Sequence, residues 1–200
     1  MVTAKSLEDT MEATTAPLFQ DDAQPSEAVI DLPDTKTACI VAIDPGLTGA
    51  VAFYFPSAPD RIAVEDMPVV NGEVDSHGLN RLIQRMGPTL AIIEHVNAMP
   101  SIPGKGGQRR SMGAQSAFNF GRAFEAGRTT LALSGAPLHL ALPKDWKKHF
   151  RLSGGDEGKE AGRALAIRLF PACAERFARK KDHGRADAAL LARYAAEVLR

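Results

Sequence analysis

Cysteine is scarce: the 200 residues hold two, Cys39 and Cys173, with no Cys-x-x-Cys pair and no Cys/His cluster. That excludes a thiolate zinc site and a disulfide framework. It fits a reducing, cytoplasmic setting in which both thiols are read as small core residues. Long apolar runs are missing too. No stretch approaches the roughly 20 apolar residues that span a bilayer, and no apolar segment follows a basic start at the N-terminus. Neither a membrane partner nor a secretory signal is therefore expected.

Net charge is also absent, but the formal zero hides a division. Residues 1–36 carry two lysines against eight acids, a charge of −6, and the remaining 164 residues carry +6. The first segment has scattered acids, few aromatics and no sustained periodicity, so it reads as a disordered acidic arm. A short apolar stretch within it, AVIDL at residues 28–32, is the alternative: a partner-binding segment. The rest, residues 37–200, reads as one basic domain, compatible with a polyanionic partner.

What is present in that domain is punctuated periodicity. Residues 38–43 (ACIVAI) form an apolar run stopped by Asp44-Pro45-Gly46, and residues 49–55 and 61–67 are further strand candidates. Residues 77–86 have helical spacing and stop at Gly87-Pro88. Residues 89–93 (TLAII) form a buried strand ending at Glu94. A Gly-rich basic loop spans residues 100–110, and a long helix is predicted over 114–133. A strand over 137–142 follows, then a short helix opened by Pro143 that carries the single tryptophan, Trp146. Helices over 156–170, with an apolar face of Ala161, Ala164, Leu165, Ile167 and Leu169, and from His183 onward complete the chain. Antiparallel strands that give way to alternating strands and helices predict a mixed α/β sheet with helices on both faces, the order of the ribonuclease H-like fold.

Three acids stand out. Asp44 and Glu94 each end an apolar strand, where a charge is costly if merely buried and where open α/β sheets place their ligands. In the last helix Asp187 shares a stripe with Ala186, Leu190, Leu191 and Tyr194, and a carboxylate facing a core needs a partner or a metal. His183, four residues earlier, lies on the same face. Asp182 lies about 140° round the helix at roughly 100° per residue, and reads better as an N-cap, though it remains the alternative fourth member. Hard oxygen donors without thiolates point to Mg²⁺ or Mn²⁺. Such a group suits phosphodiester hydrolysis, with a histidine at its edge able to ligate or to move a proton.

Ile43-Asp44-Pro45-Gly46 resembles the IDPG motif that opens RuvC-type Holliday-junction resolvases. Ile93-Glu94-His95-Val96 resembles their second acidic motif, and His183-Gly184-Arg185-Ala186-Asp187-Ala188 resembles their C-terminal segment ending in Asp-Ala. The three motifs occur in order across about residues 38–198. The resemblance implies a homodimeric, divalent-metal-dependent endonuclease that nicks four-way DNA junctions in recombination and repair. Asp44, Glu94, Asp187 and His183 would be the catalytic and metal-binding residues. The pattern departs in one place: Gly184 stands where many members carry the first acid of Asp-x-x-Asp.

Candidate DNA contacts are Lys105, Arg109 and Arg110 in the Gly-rich loop, Lys144 and Lys147 around Trp146, and Lys180 and Lys181 before the last helix. Phe118, Phe120 and Phe124 in the long helix read as core or dimer interface rather than base-stacking groups. Other readings are a nuclease acting on RNA–DNA hybrid or structured RNA, and a junction-binding protein that no longer cuts. Residues 44–50 also resemble the first phosphate loop of actin-like ATPases. A chain of this length lacks the second domain and second phosphate motif such proteins need, so no nucleotide cofactor is expected.

Overall fold

A computed structural model describes residues 38–95 and 113–199, together with the backbone of 102–103 and 109–110. The acidic arm lies outside the described residues, as does Lys105.

Three strands open the domain: β1 (Ile40–Asp44), β2 (Ala50–Tyr54) and β3 (Ala63–Asp66). They pair antiparallel in succession, as the short polar turns between them require. The turn between β1 and β2 depends on glycine. Gly46 has φ +126°, and a Cβ on Gly49 would lie 2.0 Å from the carbonyl oxygen of Asp44. Only a residue without a side chain lets the strand reverse this tightly.

A two-stranded hairpin follows, β4 (Val69–Val70) and β5 (Glu73–Val74), which the strand patterning above did not anticipate. Asn71 and Gly72 between them have φ of 52° and 76°, both positive as a type I′ turn demands. The Asn-Gly pair was the available signal. Helix α1 (Ser76–Met86) is capped by the Asp75 carboxylate, which accepts from the Gly78 amide, and it ends at a left-handed Gly87. Strand β6 (Leu90–Glu94), the backbone pair β7 (Ile102–Pro103) and β8 (Arg109–Arg110), and helix α2 (Ala114–Leu133) come next. The C-terminal part contains β9 (Leu138–Ala141), α3 (Pro143–His149), α4 (Gly155–Leu169), two 3₁₀ segments (Pro171–Phe177 and Lys180–Asp182) and α5 (His183–Val198).

The main sheet has the order β3-β2-β1-β6-β9, with β6 parallel to both β1 and β9. Alternation sorts its side chains onto two faces. Ile40, Ala42, Ala52 and Ile92 join one core with Leu190, Leu191 and Leu165 from α5 and α4. Ile43 and Ile93 point the other way, toward α2, where a Cβ on Gly127 would come within 3.5 Å of both. The expectation of an α/β sheet with helices on both faces holds.

Three expectations need correcting. The buried side of α4 is Gly158, Gly162, Leu165 and Ala166, while Ala161 and Ala164 are exposed. Glycine serves there because α4 lies close to α5: a Cβ on Gly162 would sit 3.6 Å from an Asp187 carboxylate oxygen and 3.8 Å from Leu190. Of the two readings of Phe118, core or dimer interface, the first falls: it is 64% exposed, with the Arg122 guanidinium 5.7 Å over its ring. Cys39 is buried, and burial pushes its thiol up to about 12, but Cys173 keeps part of its surface exposed. Among the described residues no helix is long and apolar enough to cross a membrane.

Candidate active site

The sheet register fixes the first two acids. Ile43 is paired with Ile93 across the parallel β1–β6 ladder, so Asp44 and Glu94, one residue further on, are lateral neighbours at the C-terminal strand ends. They share the parity of Ala42 and Ile92 and therefore face α5. That helix brings the third. It is buried on most of its circumference (Ala186, Ala188, Ala189, Leu190, Leu191, Ala192, Ala195), because its many alanines let it lie close on β1 and β2. Asp187 is on its first turns, facing Gly162 of α4 and the strand-end acids.

The three carboxylates feel one another. Burial, then Asp187 and then Glu94 hold the Asp44 carboxyl well above the ordinary carboxylate range. Burial also raises Glu94, aided by the charge of Asp187, and burial raises Asp187. The opposing charge at all three is the ammonium of Lys147 on α3, with His183 and Lys159 adding to it at Asp187. Lys147 lies 5.1 Å over the ring of Trp146, and the Trp146 indole N–H donates to Glu94 Oε2 at 3.2 Å. Sequence reasoning assigned Lys147 to DNA. Its proximity to the acids depends on where α3 lands, which no local pattern encodes.

His183 and Asp182 have different surroundings. Asp182 is buried, 2% exposed, and occupies the N-cap position of α5 without capping it. Its carboxylate accepts from the Arg179 amide and guanidinium instead. Burial opposes its ionisation, yet those hydrogen bonds outweigh burial and hold its carboxyl below the usual range. Both of its oxygens are thus engaged by Arg179. His183 is half-buried and borders a cleft of about 760 Å³ whose other lining residues are three acids, Asp156, Glu157 and Glu160, and three lysines, Lys159, Lys180 and Lys181. Lys144 is exposed on α3, Lys180 and Lys181 are exposed ahead of α5, and Arg109 and Arg110 form the backbone of β8.

The structure also accounts for the missing fourth acid. A Cβ on Gly184 would lie 2.7 Å from the Thr48 carbonyl oxygen, 3.2 Å from an Asp44 carboxylate oxygen and 3.3 Å from Gly49. The first turn of α5 rests directly on the β1–β2 turn, leaving no room for a side chain. Gly184→Asp, which restores the two-acid pattern, is therefore expected to lower stability by roughly 1–3 kcal/mol through overpacking. It should also reduce rather than raise any activity of the site. A melting temperature and cleavage rate equal to wild type would show that the turn yields freely.

Among the described residues no three His, Cys, Asp or Glu side chains enclose an ion as placed. The donor set nonetheless suits a hard cation: carboxylate oxygens only, crowded, partly buried and short of positive charge.

No protein-family model matches the chain, and no curated relative matches it in sequence. Solved structures do match. Thermus thermophilus RuvC superposes with a TM-score of 0.51 at 16% identity, covering 80% of this chain and 95% of that one. T. thermophilus RuvC in complex with a Holliday junction substrate gives 0.52 at 14% identity with the same coverage. The protein thus has the RuvC-like form of the ribonuclease H-like fold. The likeness lies in the fold, since so few residues are shared.

Proposed function

We propose that this protein is a divalent-metal-dependent endonuclease acting on branched DNA, with the four-way junction as its substrate. The observation that carries the reading is the placement of Asp44 and Glu94 side by side at two parallel strand ends, with Asp187 of α5 facing them. A ribonuclease H-like sheet with acids at that edge suits phosphodiester hydrolysis. The junction-bound RuvC structure of the same fold supports the choice of substrate.

Asp44, Glu94 and Asp187, with His183 at the edge, would hold Mg²⁺ or Mn²⁺. When bound, such ions would supply a more acidic water and charge neutralisation at the departing oxygen. The chain's own part is to gather acceptor oxygens where water is partly excluded, and to place Lys147 as a counter-charge beside them. His183, one turn before Asp187 on α5, would take up or return a proton there. Lys105, Arg109, Arg110, Lys144, Lys180 and Lys181 are assigned to backbone phosphates, while Lys147, first read as a DNA contact, is kept for the acids. Paired nicks across a four-way junction need two sites related by a two-fold axis, so the working form is a homodimer. The exposed Phe118 on α2 supports that helix as its interface.

The test is cleavage in Mg²⁺ of a four-way junction, a linear duplex, a flap and an RNA–DNA hybrid. Paired nicks in the junction, abolished by chelation, are expected. Preferential cutting of the hybrid would move the protein to the ribonucleases. Tight junction binding without cutting would make it an architectural protein.

A further inference from the structure

Trp146 is the one tryptophan of the chain, and it is fully buried. A side chain this large and apolar normally belongs to the core on packing grounds alone. Its surroundings go beyond packing. It joins the core formed by Ala141, Leu165, Ala166 and Leu191, and its N–H donates to Glu94 Oε2 at 3.2 Å. The other side of the geometry is the Lys147 ammonium, 5.1 Å over the same ring and close enough to influence Asp44, Glu94 and Asp187. One seven-residue helix, opened by Pro143, thus supplies both a hydrogen-bond donor to Glu94 and the cation whose charge opposes the rise at all three acids.

From this arrangement we infer that Trp146 is a positioning residue: its N–H fixes the Glu94 carboxylate and thereby sets the affinity of the site for a divalent cation. The inference rests on the metal-dependent reading above. Carboxylate side chains at the end of a strand have free torsions, and a ligand must be held in one of them to bind an ion well. A donor locked on all sides by core packing does this without ordering cost at the moment of binding. The indole is such a donor, whereas a surface serine or a water is not.

The substitution Trp146→Phe keeps most of the apolar volume and removes the N–H. In the full-length protein, Mn²⁺ binding followed by calorimetry is expected to weaken about 10- to 100-fold, the range for loss of a hydrogen-bond partner to a metal ligand. Cleavage should fall mainly at low Mn²⁺ and recover at saturating Mn²⁺, an effect on half-saturation rather than on kcat. In a Glu94→Ala background the same substitution should add little, because its target is gone. A lowered melting temperature with an unchanged Mn²⁺ isotherm overturns the positioning role and leaves the nuclease reading intact. No Mn²⁺ isotherm in the wild-type protein overturns the metal-dependent reading itself, and this role with it. Should Trp146→Phe fail to fold, the wild-type indole serves as its own probe. Its emission should shift with Mg²⁺ at the midpoint of cleavage, and an identical shift in Glu94→Ala would overturn the role.

Discussion

Asp44→Asn is expected to eliminate cleavage and at the same time to make the ion-free protein more stable. The two effects share one cause. Asp44 is enclosed by burial and by the charges of Asp187 and Glu94, with Lys147 as partial relief, so its ionised form is disfavoured in the fold. Asparagine keeps the shape and removes the charge. Loss of a metal ligand forfeits several kcal/mol of transition-state stabilisation, on the order of 10²–10⁴-fold in rate. Removal of the repulsion should add roughly 1 kcal/mol, or about 2–4 °C in melting temperature for a domain of this size. Junction binding without metal should persist.

The pH dependence follows with a definite sign. Asp44, Glu94 and Asp187 all have folded pKa values raised above their unfolded ones. Between the two values the folded state binds more protons than the unfolded state, so stability falls as pH rises through that window. Asp66 behaves oppositely: the Arg185 guanidinium, in a paired hydrogen bond at 2.6 and 2.7 Å, holds its carboxyl below the usual range. Its contribution, with that of Asp182, is lost as pH falls below about 4, the ordinary carboxylate value. The ion-free protein should thus be most stable in mild acid. Melting curves across pH should show this maximum, and Asp44→Asn or added Mg²⁺ should flatten its neutral side. A wild-type melting temperature that is flat or rising from mild acid to neutrality would contradict the crowded-acid picture.

Lys147→Met should act in the opposite direction on stability. Its ammonium is the charge that opposes the rise at all three acids, and methionine retains the apolar stem over Trp146. Removing the one positive charge felt by all three acids leaves their burial and mutual repulsion less compensated. The ion-free melting temperature should therefore drop at neutral pH and less in mild acid. Cleavage should decrease about 10-fold or more, given that about 1.4 kcal/mol is a factor of ten. The half-saturating Mg²⁺ concentration should not rise, because a competing cation has been removed. If Lys147 only contacted phosphates, Lys147→Met would change the salt dependence of DNA binding and leave the pH profile of melting untouched.

The distribution of these effects reflects what is encoded locally. Short apolar runs ended by Asp-Pro-Gly or Gly-Pro define strands and helices through backbone sterics, which act within a few residues. That is why β1, β6, α2 and α5 are legible from the chain, and with them the acids that end or begin those elements. The β4–β5 hairpin was not read, although Asn71-Gly72 signals its turn, because two-residue strands carry no period. Asp182 read as a helix cap by position; only its contact with Arg179 shows that its side chain is spent elsewhere.

The sequence by itself determined the α/β class, the three strand-end and helix acids, and the charge division between residues 1–36 and 37–200, all products of periodicity, stop signals and composition. Tertiary structure alone decided that β6 lies parallel beside β1, so that Asp44 and Glu94 become neighbours. It also decided that Gly184 has no room for an acid, and that α3 brings Trp146 and Lys147 to the carboxylates. Those are meetings of residues 40 to 140 positions apart, fixed by how faces pack and not by any pattern a local stretch of chain can hold.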